Sequence, residues 1–196
     1  MANQKNKLEL SCNSFPNRMR FLLKFFKMPN QIGSVTPSSQ FLTKSMMKSI
    51  NWDKVESIAE LGAGNGVFTQ SIYKLKRPSC RVVIFEKDDE MRNRLANIYS
   101  EFDYSDDAQD LLNVLKELDI HEVDCIVSGL PFTLFPQQTR DVILSEVIKS
   151  LKPNGLFIAF QYSLHMQKQL KKNFSSVDIK FMPLNMPPAF VYICRR

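Results

Sequence analysis

Residues 59–69, A-E-L-G-A-G-N-G-V-F-T, decide how this chain reads. The apolar run Val55 to Leu61, interrupted by Glu56 and Ser57, reads as a short strand with an acid, Glu60, at its end. Three glycines, Gly62, Gly64 and Gly66, then alternate with small residues, and a helix follows. Glycine lets the backbone turn sharply there and lets a ligand approach without an intervening Cβ. A helix opening near Gly66 directs free N–H groups and a positive dipole end at that ligand. The pattern implies a nucleotide-type cofactor over the carboxyl end of a first strand.

The spacing narrows the cofactor. A dinucleotide fingerprint places its third glycine three residues after the second, whereas here the order is G-x-G-x-G. No Gly-Lys-Ser/Thr follows, so it is not a phosphate loop either. E-x-G-x-G-x-G resembles motif I of the class I S-adenosylmethionine methyltransferases. By that resemblance Glu60 and the loop of Gly62, Ala63, Gly64, Asn65 and Gly66 hold the amino-acid end of S-adenosyl-L-methionine. Taken by itself, the stretch also suits a glycine-rich turn of another α/β protein.

Downstream, the strands and helices alternate. A helix runs to about Leu75, and Arg81 to Phe85 is a continuous apolar strand of the kind buried in parallel sheets. Glu86 follows it, 20 residues beyond Gly66, where an acid accepts from both ribose hydroxyls of an adenosine. Lys87 then leads into a helix with acids in its first turn. Phe102 to Ser105 reads as a short third strand, followed by Asp106, Asp107 and Ala108. An acid here either accepts from an adenine amine or caps the helix Ala108 to Leu118, and the two roles are compatible. Val123 to Leu130 is a fourth strand running into Pro131; abutting the first strand, it puts Ser128, Gly129, Leu130 and Pro131 where a methyl group leaves the cofactor. Gln137 to Leu151 is a helix stopped by Lys152-Pro153-Asn154-Gly155. Leu156 to Tyr162 is the fifth strand, Leu164 to Phe174 a basic helix, and Val177 to Leu184 and Phe190 to Cys194 the last two strands. The expectation is a doubly wound α/β domain over residues 51–196, with a seven-stranded, mostly parallel sheet, preceded by a helical extension over 1–50.

Composition bounds the rest. At 196 residues and 44% hydrophobic content there is room for one cored domain and a short extension. Cys12, Cys80, Cys125 and Cys194 form no C-x-x-C pair and only two histidines accompany them, which argues for reduced thiols in a cytoplasmic protein without a metal site. No uncharged apolar run approaches the ~18 residues of a membrane span. The apolar stretch near the N-terminus is interrupted by Lys24 and lacks a small-residue cleavage site, which argues against a signal peptide. Residues 1–50 carry eight Lys or Arg and one acid, against 18 and 19 in the remainder. A nucleic-acid binder more often concentrates its positive charge around the cleft, so nucleic acid is disfavoured as a partner. From Phe15 to Met28, the residues Phe15, Met19, Leu22 and Phe26 share one helical face, with Arg18, Arg20, Lys24 and Lys27 supplying the charge. Such a helix suits the interface of an anionic membrane, or packs its apolar face on the domain. Gln31 to Gln40 is a small-residue loop in which Ser38 or Ser39 caps a helix over Gln40 to Ile50.

With these positions in hand the chain, from about Phe21 to Arg196, resembles the bacterial phospholipid N-methyltransferases that methylate phosphatidylethanolamine. The carrying blocks are R-F-L-L-K-F-F-K-M-P-N-Q-I-G-S-V-T-P-S-S, V-S-G-L-P-F, A-F-Q-Y-S and N-M-P-P-A-F-V-Y. The first two are more specific than the cofactor loop. The resemblance implies stepwise methylation of a headgroup amine by a cytoplasmic enzyme held peripherally on the membrane. Gly33 to Ser39 would close over cofactor and headgroup, Tyr162 would line the amine site, and Asn185 to Ala189 would form another wall. Tyr162, with Tyr73 and Tyr104 as alternatives, offers an aromatic face to a growing cation. His165 is either a base or phosphate contact, or a surface residue of a basic helix. The cofactor set is thus Glu60, Gly62 to Gly66, Glu86, Lys87, Asp107, Ala108 and Ser128; the acceptor side is Gly129, Leu130, Pro131 and Tyr162. The family usually has proline at Ala63 and glycine at Asp106, which leaves the subfamily open. A competing resemblance is to the rRNA adenine N6-dimethylases, but those read N-L-P-Y or N-I-P-Y where this chain has Gly129. A soluble-amine methyltransferase and a non-catalytic membrane-binding domain are further alternatives.

Overall fold

The computed structural model describes residues 37–196. The helix read over Phe15 to Met28, with Arg18, Arg20, Lys24 and Lys27, and most of the Gly33–Ser39 loop lie outside the described residues.

Helix α1 (Pro37–Met47) comes first. It starts three residues earlier than the sequence suggests, because the fixed φ of Pro37 suits a first helical turn. Ser38 and Ser39 therefore lie inside that turn rather than capping it. Leu42, Met46, Met47 and Ile50 are buried with Ile58, Ile72 and Val191. The packed domain accordingly begins before residue 51, where the sequence division put it.

From there β1 (Ser57–Leu61), α2 (Val67–Leu75), β2 (Arg81–Phe85), α3 (Asp89–Ile98) and β3 (Asp103–Ser105) follow one another. A short 3-10 turn at Ala108–Asp110 leads to α4 (Leu111–Glu117), β4 (Val123–Ser128), α5 (Gln137–Ser150) and β5 (Leu151–Gln161). Helix α6 (Gln167–Asn173) and the hairpin of β6 (Ser176–Met182) and β7 (Ala189–Arg195) complete the chain. One sheet orders the seven strands β3-β2-β1-β4-β5-β7-β6. Strands β1 to β5 are parallel and β7 runs antiparallel to both β5 and β6. The first strand abuts the fourth, with Ala59 opposite Ile126 and Leu61 opposite Ser128. The chain's winding reverses between them, so their carboxyl ends form the crevice where α/β sheets take ligands.

Both sheet faces are covered. Residues of one parity along β1 and β4, such as Ile58 and Cys125, join the core under α1 and α2. Those of the other parity, such as Ala59 and Ile126, join a second core with Leu111, Leu144 and Met166. Burial on both faces explains why these strands read as continuous apolar runs. Cys80, Cys125 and Cys194 are free, buried thiols, the last two pushed well up by burial. No helix among the described residues is long and apolar enough to cross a membrane.

Two boundaries depart from the sequence reading for long-range reasons. Strand β5 begins at Leu151, opposite Val123, and not at Leu156; the register then shifts, and Lys152 to Gly155 form the irregularity, with Asn154 left-handed at φ 64°. Helix α6 begins at Gln167 and not at Leu164. The Tyr192 hydroxyl donates to the Ser163 carbonyl (3.0 Å), the acceptor that a helix begun at Leu164 would use first, and the Gln167 N–H bonds Leu164 instead (3.0 Å).

Candidate active site

Strand β1 delivers Leu61 to the carboxyl edge and the chain turns at once. Gly62, Gly64 and Gly66 all have positive φ (76°, 54° and 80°), a conformation in which a side chain is strained. They do different work. A Cβ on Gly62 would stand 2.8 Å from Leu130 Cδ2, and one on Gly66 2.5 Å from Leu95 Cδ2, so these two glycines let neighbouring elements close in. A Cβ on Gly64 would meet nothing within 4 Å. Gly64 thus faces open space at the mouth of the crevice. The Gly62 N–H donates to the Phe85 carbonyl (2.8 Å) and the Gly66 N–H to the Ala63 carbonyl (2.9 Å), which fixes the loop against β2. Exposed Asn65 accepts from Arg94 at 3.4 Å, and Gly66 precedes α2 with no side-chain cap on the helix's first turn.

Glu60 lies beneath this loop with no exposed surface. Its Oε2 accepts from the Thr69 hydroxyl (2.8 Å), while Oε1 has no partner. Burial pushes the Glu60 carboxyl up to about 8; Thr69 pulls it down and Glu86 adds to the rise. An unpartnered buried carboxylate oxygen is costly, and a cationic or N–H-bearing ligand group relieves the cost. The cofactor's amino-acid end, which carries an ammonium, meets that requirement.

Glu86 stands at the end of β2, as expected, and it also braces the loop. Its Oε2 accepts from the Gly64 N–H (2.6 Å) and its Oε1 from the Asp88 N–H (2.9 Å). Lys87 pairs with Asp107 (3.2 Å), whose Oδ1 accepts from the Gln109 N–H (2.9 Å), so Asp107 is the cap of the following turn. Burial pushes the Asp107 carboxyl up, but the Gln109 N–H and Lys87 outweigh it and hold it below the usual carboxylate range. Ala108 is buried beside it.

Across the crevice β4 ends in Ser128, whose buried hydroxyl accepts from the Leu130 N–H (3.2 Å). The Gly129 N–H donates to the Leu61 carbonyl (2.9 Å). A Cβ on Gly129 would come within 2.7 Å of the Gly62 carbonyl oxygen, so this glycine is what lets the two turns touch. Pro131 (φ −80°, ψ 72°) forms an inverse γ-turn in which the Phe132 N–H donates to the Leu130 carbonyl (3.0 Å). That same carbonyl accepts from Gln161 Nε2 (2.9 Å). Both of its lone pairs are therefore engaged within the protein.

The sequence reading missed Gln161, Thr69 and Phe68. Gln161 is almost fully buried at the end of β5, between apolar Phe160 and half-buried Tyr162. A lone amide closing a buried strand was the available signal. Replacing it with leucine deletes the donor to Leu130, with an expected 10- to 100-fold fall in kcat, cofactor affinity within a few-fold of normal, and a stability loss of about 1–3 kcal/mol; kinetics, calorimetry and a melting curve check this.

Tyr162 sits at the end of an aromatic row. Phe68, on the helix after the glycine loop, packs edge-on to Phe160 (5.9 Å), which packs edge-on to Tyr162 (5.6 Å). Burial raises the Tyr162 phenol, so it stays protonated at neutral pH. Tyr73 and Tyr104 do not join this row: Tyr73 packs on Tyr99 and Phe102, and the Tyr104 hydroxyl donates to the Tyr99 carbonyl. His165 is exposed in the turn before α6, not on a helix, its N–H donating to Ser163 Oγ (3.4 Å). Asn185 is buried and its amide donates to the Pro187 carbonyl (2.6 Å), so it organises its own loop.

This strand order, with a glycine turn over β1, an acid after β2 and a tight turn after β4, is the class I methyltransferase fold. The N-methyltransferase NodS of Bradyrhizobium japonicum, solved with S-adenosyl-L-homocysteine, matches 92% of this chain and 99% of its own at a TM-score of 0.68 and 12% identity. A Burkholderia thailandensis 1,6-didemethyltoxoflavin N1-methyltransferase, solved with its substrate and S-adenosylhomocysteine, matches all of this chain and 91% of its own, also at 0.68 and 12%. No family model matches the chain. The ornithine lipid N-methyltransferase of Singulisphaera acidiphila is 35% identical over 181 residues, 89% of this chain and 94% of that enzyme. The chain belongs to the family of that enzyme, and it is an S-adenosyl-L-methionine-dependent methyltransferase.

Proposed function

We propose that the enzyme N-methylates the primary amine of a membrane lipid headgroup, working from the membrane surface. The observation that carries this is the 35% identity to a lipid N-methyltransferase across nearly its whole length. Two headgroups fit: ethanolamine, suggested by the sequence blocks quoted above, and ornithine, the headgroup in the relative's name. Each offers a primary alkyl amine near an anionic group. The relative favours ornithine.

The chain's residues then have assignable roles. Glu60 Oε1 and the loop N–H groups hold the amino-acid end of the cofactor, Glu86 its ribose hydroxyls, and Asp107 with Ala108 its adenine. The bound cofactor supplies a sulfonium methyl, a strong electrophile that a neutral amine attacks. Ser128, Gly129, Leu130 and Pro131 shape the space between, and holding the amine within about 3–3.5 Å in line supplies much of the rate. The Tyr162 phenol, which stays protonated, offers its ring to the single ammonium charge formed as each methyl is transferred. That charge is discharged by loss of a proton to solvent before the next transfer. Tyr162→Phe should keep activity within about threefold, whereas Tyr162→Leu should lower kcat/KM by 10-fold or more, equivalent to roughly 1.4 kcal/mol or more, read with vesicle substrate. The engaged Leu130 carbonyl disfavours the adenine-amine reading, since both of its lone pairs already have donors within the protein.

Residues 15–28 supply the membrane anchor in this reading. Lys24→Glu with Lys27→Glu should abolish sedimentation with anionic vesicles and leave S-adenosylhomocysteine affinity unchanged; unaltered sedimentation would make the strip a solvated face only. Between the two headgroups, mass spectrometry of vesicles holding ornithine lipid, phosphatidylethanolamine or neither decides. A gain of 14 mass units per methyl is expected on the aminolipid, and no product on either would refute the reading.

A further inference from the structure

The β6–β7 hairpin turns at the carboxyl edge of the sheet, on the side of the active site. Antiparallel pairing sets Gln161, the last residue of β5, opposite Phe190, and Met182 opposite Ala189. Residues 183–188 (P-L-N-M-P-P) therefore project beside Gln161 and Tyr162. This turn is built unusually. Asn185 folds inward: its N–H donates to the Met182 carbonyl (3.3 Å) and its side chain to Pro187, leaving it 5% exposed. With the central residue turned in, its neighbours point out, and Leu184 and Met186 are 74% and 75% exposed. Three prolines in six residues restrict the alternatives into which those side chains could withdraw. Phe181, at 55%, and Leu164, at 45% in the turn after β5, extend the apolar surface.

Exposed cations flank this patch. From Gln161 to Arg196 the chain has six Lys or Arg and a single acid, Asp178. Lys168, in the first turn of α6, and Lys180, two residues before the end of β6, are exposed on the side of the tip. Lys171, Lys172, Arg195 and Arg196 lie toward the opposite edge, where Ser176 pairs with Arg195. The near-neutral total beyond residue 50 thus conceals a basic C-terminal quarter. Exposed apolar side chains flanked by the two cations Lys168 and Lys180 suit a surface with acyl chains below and anionic headgroups above.

We infer that the tip of the β6–β7 hairpin is a membrane-inserting wedge: Leu184 and Met186 enter the acyl region of an anionic bilayer while the flanking lysines meet its phosphates. This rests on the lipid-acceptor reading, because the wedge would seat the crevice and Tyr162 against the plane from which a headgroup amine must rise. It is a different stretch of the chain from residues 15–28, so membrane contact would have two elements.

The test uses the full chain and vesicles of phosphatidylglycerol with phosphatidylethanolamine or ornithine lipid. In Met186→Trp, the new indole should be quenched by lipids brominated along the acyl chain. The native Trp52, whose Nε1 donates to the Met47 carbonyl, should not respond. Leu184→Ser with Met186→Ser should weaken vesicle affinity roughly 10- to 100-fold, from the loss of two buried apolar side chains, and leave S-adenosylhomocysteine affinity unchanged. Absent quenching together with wild-type vesicle affinity of the double variant overturns the wedge, and label still entering lipid would then leave the acceptor reading intact. Quenching without label in any lipid supports the wedge and refutes the acceptor. A shift from dimer to monomer in the double variant by light scattering, without change in vesicle affinity, overturns the wedge in favour of a contact between two copies.

Discussion

Glu60→Gln should make the cofactor-free protein more stable at pH 8 while weakening its hold on the cofactor. In the folded chain the Glu60 carboxyl titrates near 8, above its ordinary value of 4.5. The folded state thus binds this proton more tightly than the unfolded state. The stability so contributed is complete below about pH 4.5 and is lost as pH rises through 8. At about 1.4 kcal/mol per unit, the loss by pH 8 is on the order of 3–5 kcal/mol. Glutamine stays neutral and still accepts from the Thr69 hydroxyl, so the variant should show little of this decline. Calorimetric melting from pH 5 to 8 should give a falling Tm for the wild type and a flatter one for the variant. Cofactor binding has the opposite sign. Pairing with an ammonium requires ionised Glu60, so wild-type affinity for S-adenosylhomocysteine should rise up to tenfold per pH unit toward 8. The variant should be weaker at pH 8 by roughly 100-fold, about 2.7 kcal/mol, with little pH dependence from this position. Parallel stability curves would mean that the carboxyl is not buried as described.

Gly129→Ala should be the most damaging single-methyl change in the site. The added Cβ would lie 2.7 Å from the Gly62 carbonyl oxygen, a backbone atom that no side-chain rotation can move away. The glycine turn must shift, and with it Gly64 and its bond to Glu86. Overpacking of this kind costs about 1–3 kcal/mol. Cofactor affinity should fall by 100-fold or more, read by calorimetry. Gly64→Ala is the informative contrast. Its φ of 54° disfavours a side chain by roughly 1–2 kcal/mol, yet the Cβ meets no protein atom within 4 Å. A modest Tm loss with a large loss of affinity there would mean that the open space belongs to the ligand.

Much of this arrangement was legible in the sequence because its signals are local. Strand, acid and alternating glycines lie within eleven residues, and Arg81 to Phe85 with the following Glu86 is equally contiguous. The seven-stranded sheet followed from counting such units. What escaped depends on partners distant in the chain. The start of α6 was misplaced because Tyr192, 29 residues away, takes the Ser163 carbonyl. The start of β5 was misplaced because Leu151 pairs with Val123 ahead of an irregular turn. Gln161 gave no periodic signal, the A-F-Q-Y-S block in which it stands pointed to Tyr162 instead, and its role exists only because Leu130, 31 residues earlier, returns to meet it. Gly129 was read as an acceptor-site residue from its place in S-G-L-P; the structure adds a reason in its contact with Gly62. His165 shows the reverse: a chemically suggestive residue that folding leaves in an exposed turn.

The central claim is that the accepting nitrogen belongs to a lipid. Methyl transfer from labelled S-adenosyl-L-methionine, with anionic vesicles containing ornithine lipid and phosphatidylethanolamine offered together with ribosomal RNA and free ethanolamine, tests it most directly. Label should partition into the organic phase with the aminolipid and be absent from the aqueous amine and the RNA. Label in the RNA, or in the soluble amine alone, would contradict the account.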